Sequence, residues 1–171
     1  MKAEELFLEA INRLRKDYNN YKFYVERDIV LTVQTMMNKL IDQYNCPLQV
    51  HNDFSILPKQ RADLVVLGED MQIELAVEFK YEPSHRRTDI VPTKFPVASW
   101  SEIGKDIDRI QRYVLEADAY IAYSILIDEG GHFRSKPAFQ GSEWIEWVEN
   151  QISILQSVKR QINENISHLY Y

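Results

Sequence analysis

The sequence predicts an α/β protein, and three observations predict it. Two helical stripes open the chain, strand-like runs then follow in close succession, and a capped amphipathic helix leads into a nearly all-apolar run. A helix feeding a strand that is apolar on both faces is the pattern of a parallel crossover, so a mixed β-sheet flanked by helices is expected.

From Ala3 to Tyr18 the apolar residues Leu6, Phe7, Ala10, Ile11 and Leu14 recur at helical spacing, and Asn19-Asn20 breaks the run. A second helix is expected from Glu26 to about Tyr44, with the stripe Ile29, Val30, Val33, Met37, Leu40, Ile41 and Tyr44 and Pro47 just beyond its end. Leu48 to His51 reads as a short strand. Ala62 to Leu67 and Ile73 to Tyr81 read as stronger ones, joined by a hairpin loop at Gly68-Glu69-Asp70. Glu82 to Val97 holds Pro83, Pro92 and Pro96 and reads as a long loop. Ser99-Trp100-Ser101-Glu102 is a capping-box pattern that opens a helix with the stripe Ile103, Ile107, Ile110 and Val114. Ala119 to Ile127 is the doubly buried strand, ended by Gly130-Gly131. A long C-terminal helix is expected from Ser142 to about Leu169, on the spacing of Ile145, Val148, Ile152, Leu155, Ile162, Ile166 and Leu169. It either packs on the domain or pairs in a homodimer.

At 171 residues, 45% hydrophobic and 27% charged, the chain has the size and balance of one globular domain. The core is expected over about residues 26–127. No run approaches the ~20 apolar residues of a membrane span, and the acidic start Glu4-Glu5 is unlike a secretory peptide, so a cytoplasmic protein is expected. One cysteine, Cys46, excludes an internal disulfide and a thiolate zinc site. The four histidines have no ligand spacing, and phosphate-loop, dinucleotide and nucleophile-elbow motifs are missing. A net charge of −6 argues against nonspecific coating of nucleic acid, but not against an enzyme that acts on it.

The chemistry left is Arg61-Ala62-Asp63, a hairpin, then Glu78-Phe79-Lys80. Strand alternation puts Glu78, Lys80, Ala76 and Glu74 on one face and Ile73, Leu75, Val77, Phe79 and Tyr81 on the other. With Val66 paired to Ile73, Asp63 stands opposite Ala76 and diagonal to Glu78, within reach of one shared cation. Oxygen ligands of this kind suit Mg²⁺ or Mn²⁺, and a lysine beside them can steady an attacking water or phosphate charge. Glu26 lies on the core-facing stripe of its helix, where a carboxylate needs a partner or a metal. The alternatives are a surface ion-pair ladder for the hairpin and a dipole-favoured first-turn glutamate for Glu26.

With these residues the chain resembles the PD-(D/E)XK nuclease superfamily, the restriction-endonuclease-like fold. Asp63 matches the motif's aspartate, Glu78-Phe79-Lys80 its glutamate-x-lysine, and Glu26 the acidic residue often found on the first core helix; Ala62 stands where the motif's name has proline. The resemblance implies a mixed sheet flanked by helices and divalent-metal phosphodiester hydrolysis, with DNA ahead of RNA as substrate. It implies that Asp63, Glu78 and the Phe79 backbone carbonyl hold the metal, that Lys80 stands near the attacking water, and that Glu26 completes the site. His85, Arg86, Arg87 and Lys94, in the loop after the motif, are candidate phosphate contacts; a solvated charged loop is the alternative. Lys105, Arg109 and Arg112 alternate with Asp106 and Asp108 and read as ordinary surface pairing. Two other functions stay open: a catalytically inactive nucleic-acid-binding or regulatory module, and a dimeric interaction protein.

Overall fold

The computed structural model describes residues 1–90, 95–147 and 151–161. Three helices, α1 (Ala3–Asp17), α2 (Glu26–Tyr44) and α3 (Trp100–Glu116), flank six strands. The strands are β1 (Gln49–Leu57), β2 (Gln60–Leu67), β3 (Ile73–Glu82), β4 (Ile121–Asp128), β5 (Ser142–Trp147) and β6 (Ile152–Arg160). They form one sheet in the order β1-β2-β3-β4-β6-β5. β3 and β4 are parallel and every other pair is antiparallel, so the sheet is mixed, as expected. None of the helices is long and apolar enough to cross a membrane among the described residues.

Strand alternation decides which helix each side chain meets. Leu64, Val66, Leu75, Val77, Phe79 and Tyr81 join the stripes of α1 and α2 in one cluster. Val65, Leu67 and Ala76 face the other way, onto Ile110, Tyr113 and Val114 of α3. β4 is buried along its whole length, the consequence of lying centrally with helices on both faces. The Ser99 side chain accepts from the Glu102 N–H at 3.3 Å and Glu102 reaches back to the Ser99 N–H, so the capping box forms at α3.

Two buried carboxylates fix the loops at the C-terminal ends of the parallel pair. Glu82 accepts from the N–H groups of Val97 and Ala98 at 3.1 and 2.7 Å, and Asp128 from those of His132 and Phe133 at 2.9 and 2.7 Å. At the opposite end Glu4 of α1 binds Arg160 of β6 at 2.7 and 2.5 Å and the Tyr123 hydroxyl of β4 at 2.6 Å.

The expected C-terminal helix is corrected. Residues 142–147 and 152–160 are the antiparallel strands β5 and β6, and residues 162–169 lie outside the described residues. Ile152 and Ile154 enter the α1/α2 cluster while Leu155 enters a cluster with Ile103 and Leu126. A strand apolar on both faces can match a spacing of threes and fours by coincidence. The helix proposed to pair in a homodimer is therefore replaced by sheet. β1 is also longer than the short strand expected, because it pairs with β2 as far as Leu57. The tryptophans are structural anchors: Trp147 is buried, and Trp100 stacks on Phe139 with ring centres 4.6 Å apart.

Ending the chain at Gly141 strips β4 of its antiparallel neighbour and removes Ile152, Ile154 and Leu155 from the core. At about 2 kcal/mol per buried aliphatic side chain, this takes much of a typical domain's stability. No cooperative thermal melt is expected by circular dichroism. A melt within a few degrees of the full chain's would mean that β5 and β6 are dispensable.

Candidate metal and active site

The register between β2 and β3 differs from the expected one and improves the site. An irregularity between Val66 and Leu67 lets Leu67 pair with Ile73 while Val66 pairs with Leu75 and Leu64 with Val77. One step beyond that last pair, Asp63 stands opposite Glu78 and not diagonal to it. The loop closes through Gly68 N–H to the Gln72 carbonyl at 3.0 Å, wider than the Gly-Glu-Asp turn expected.

Asp63 Oδ2 accepts from the Phe79 N–H at 2.7 Å, which fixes its carboxyl across the hairpin. Asp63 and Glu78 face each other across the hairpin, close enough for the Asp63 charge to act on Glu78. Burial raises the pKa of Asp63, and the Phe79 N–H opposes the rise. Glu78 is 2% exposed, and burial with the neighbouring Asp63 charge pushes its pKa up to about 8. Its carboxylate is held by the Tyr113 hydroxyl and lies 3.8 Å from the Arg109 guanidinium, both on α3.

Lys80 sits between two helices. Its Nζ lies 3.3 Å from Glu26 Oε2 on α2 and 3.2 Å from Asp106 Oδ2 on α3, and it donates to the Phe79 carbonyl at 3.2 Å. Burial alone would lower its pKa, but the Glu26 and Asp106 charges outweigh burial and raise it, so the ammonium stays charged. Burial pushes Glu26 up to about 7 against the pull of Lys80. Asp106 is 1% exposed and is raised by burial, with Lys80 and Arg109 opposing. Its Oδ1 accepts from Arg109 at 2.7 Å. Its Oδ2, although close to Lys80, is out of line for a hydrogen bond and has no hydrogen-bond partner.

Comparison with protein families, with curated proteins and with solved structures finds no match.

The structure thus brings together Glu26, Asp63, Glu78, Lys80 and the Phe79 carbonyl. It adds Asp106, Arg109 and Tyr113, which the sequence reading placed on a charged surface or passed over. A signal for them was present: residues 106 and 113 fall on the same α3 stripe as Ile103, Ile107 and Ile110. The loop residues behave differently. Arg87 is tied to Asp89, Glu129, the Tyr81 hydroxyl and the Phe23 carbonyl, and its 2.7 Å bond to that carbonyl makes it a structural brace. His85 binds Glu82 at 2.6 Å and packs against Phe95 and His132, away from the carboxylates. Arg86 lines a neighbouring cavity. Lys94 lies outside the described residues.

Four carboxylates, Glu26, Asp63, Glu78 and Asp106, face two cations, Lys80 and Arg109. Fully ionised, they leave two negative charges uncompensated, with the buried Asp106 Oδ2 answered by Lys80 alone at 3.2 Å. A divalent cation would supply that charge, and all the donors are oxygens of the kind Mg²⁺ and Mn²⁺ take. Among the described residues no three or more His, Cys, Asp or Glu side chains already converge on a single metal position. Asp63 and Glu78 each have one oxygen committed, to the Phe79 N–H and the Tyr113 hydroxyl. The oxygens that could take a cation are Asp63 Oδ1 and Glu78 Oε2, the latter in exchange for its 3.8 Å ion pair with Arg109.

Proposed function

We propose that this chain is a divalent-metal-dependent phosphodiesterase acting on nucleic acid, DNA ahead of RNA, with a restriction-endonuclease-like core. One observation carries the reading: the charged ammonium of Lys80, held between Glu26 and Asp106, stands beside the interacting Asp63–Glu78 pair. The mixed sheet flanked by helices agrees with what the resemblance implies for the fold.

Asp63 and Glu78 would hold the cation, with the Phe79 carbonyl adjacent. A bound Mg²⁺ or Mn²⁺ supplies Lewis-acid polarisation of the phosphate and a water of lowered pKa. Lys80 orients the attacking water or offsets the charge that builds on the phosphate oxygens. Glu26 and Asp106 hold the lysine in place from opposite sides, and Tyr113 and Arg109 hold Glu78.

Titration with Mn²⁺ by calorimetry, beside the Asp63→Ala/Glu78→Ala double variant, tests the reading. Binding by the native protein alone is expected. Equal heats from both proteins would make the hairpin carboxylates structural and overturn the assignment.

A further inference from the structure

We infer that Tyr21 and Tyr24 form a base-stacking platform beside the carboxylate site, and that the substrate is a single-stranded or locally unpaired nucleic-acid strand. The inference rests on the nucleic-acid reading of the site and names its substrate class.

Both tyrosines lie in the extended segment that enters α2 just before Glu26. They are exposed, at 36% and 46%. Each is nonetheless held on one ring face. Tyr21 stacks on Phe23 with ring centres 5.5 Å apart and planes 13° from parallel. Phe23 is itself buried, against Tyr18 and Tyr81. Tyr24 lies under the Arg87 guanidinium, 5.6 Å from the ring centre, and Arg87 is fixed by its four partners. An aromatic ring backed on one face by a fixed group offers its other face to a base with little entropy left to lose.

Three neighbouring cavities around them share lining residues. One of about 700 Å³ is lined by Tyr21, Lys22, Arg86 and Asp89. A second of about 590 Å³ shares Asp89 and runs past Tyr24 to Lys80 and Glu26. A third of about 160 Å³ shares Glu26 and reaches Asp63. Each of the first two is large enough for a nucleotide-sized ligand. The acids lining the first two cavities outside the metal site are largely answered: Arg87 pairs with both Asp89 and Glu129. Lys22 acts on Asp89 only from a distance, and neither it nor Arg86 has a carboxylate within 4 Å among the described residues, which leaves both cations room for phosphates. A strand laid here puts bases on the tyrosines and its phosphates past Lys80. Stacking on a side chain needs a base that is not already stacked in a duplex, so an unpaired strand is selected.

Fluorescence anisotropy in EDTA, with a labelled oligothymidylate and a duplex of equal length, reads binding without cleavage. The comparison is native protein, Tyr21→Leu/Tyr24→Leu and Tyr21→Phe/Tyr24→Phe, with Mn²⁺-dependent hydrolysis followed in parallel. Stacking on one ring is worth about tenfold in affinity. The native protein is expected to prefer the single strand by at least tenfold, the leucine variant to lose about 100-fold, and the phenylalanine variant to stay within about twofold. That pattern upholds the inference whether or not hydrolysis is seen, since hydrolysis judges the nuclease reading separately. Equal affinity for duplex, or a leucine variant that binds like native, overturns the platform even if Mn²⁺-dependent cleavage is present. No binding and no cleavage of either form overturns both.

Discussion

Lys80→Met is expected to lower metal-dependent phosphodiester cleavage by about 10²- to 10⁴-fold while the protein still melts cooperatively. Methionine keeps the length of the side chain and its packing on the sheet face, but deletes the one cation shared by Glu26 and Asp106. Asp106 keeps Arg109, and burial, which raises both carboxyls, favours their neutral forms once the ammonium is gone, so the fold survives the loss. The chemistry does not, because the site's other cation, Arg109, is held by Asp106 and Glu78 on the α3 side and pairs with no carboxylate of α2 among the described residues. Asp106→Asn is a milder case: the ammonium keeps Glu26 and loses one of two restraints, so a fall of about tenfold is expected. Both are read as initial rates on a labelled oligonucleotide in Mn²⁺, with melting curves alongside. Undiminished cleavage by Lys80→Met would falsify the assignment of Lys80 to the active site.

The second large effect concerns pH. In EDTA, thermal stability is expected to fall as pH rises from about 5 to about 8.5. Glu78 has a pKa of about 8 in the folded chain and the ordinary glutamate value of 4.5 when unfolded. Between those values the folded state binds the extra proton, so unfolding releases it and becomes easier as pH climbs. Below the unfolded value the contribution is fully present, and above about pH 8 it is gone. Glu78 alone accounts for about 4 kcal/mol over this span, or about 10 °C in melting temperature for a chain of this size. Glu26, with a pKa of about 7, adds to the slope in the same direction, its part reduced by solvent screening. Glu78→Gln removes the group without changing its shape, so its melting temperature should be flatter with pH than the native protein's. Mn²⁺ should restore most of the native loss at high pH, because the cation binds the ionised form. Equal slopes in native and Glu78→Gln proteins would show that Glu78 titrates as an ordinary carboxyl.

Much of this site was legible in the residues because period-two alternation is a strong constraint. Once Phe79 is assigned to the core, Glu78 and Lys80 must share the other face, and they do. Glu26 was legible because a charge on an apolar helical stripe demands a partner. The same argument applies to Asp106, but the neighbouring Lys105, Asp108 and Arg109 make that part of α3 look like a solvated face. The register was not legible, since an irregularity at Val66/Leu67 leaves no mark in the sequence. β5 and β6 were hidden for another reason. Their apolar residues face both clusters, which erases alternation, and a short break between them happens to preserve a helical beat.

The bond between Glu4 and Arg160 joins residues 156 apart, and β4 acquires its antiparallel neighbour only from β6. A sheet ordered β1-β2-β3-β4-β6-β5 therefore cannot be completed from its first 120 or so residues, however well the early hairpin forms. Contacts this distant along the chain place the protein toward the slow end of folding speeds. During synthesis the central strand waits, with one edge open, until its partner has left the ribosome, and the nascent chain is most exposed to aggregation in that interval.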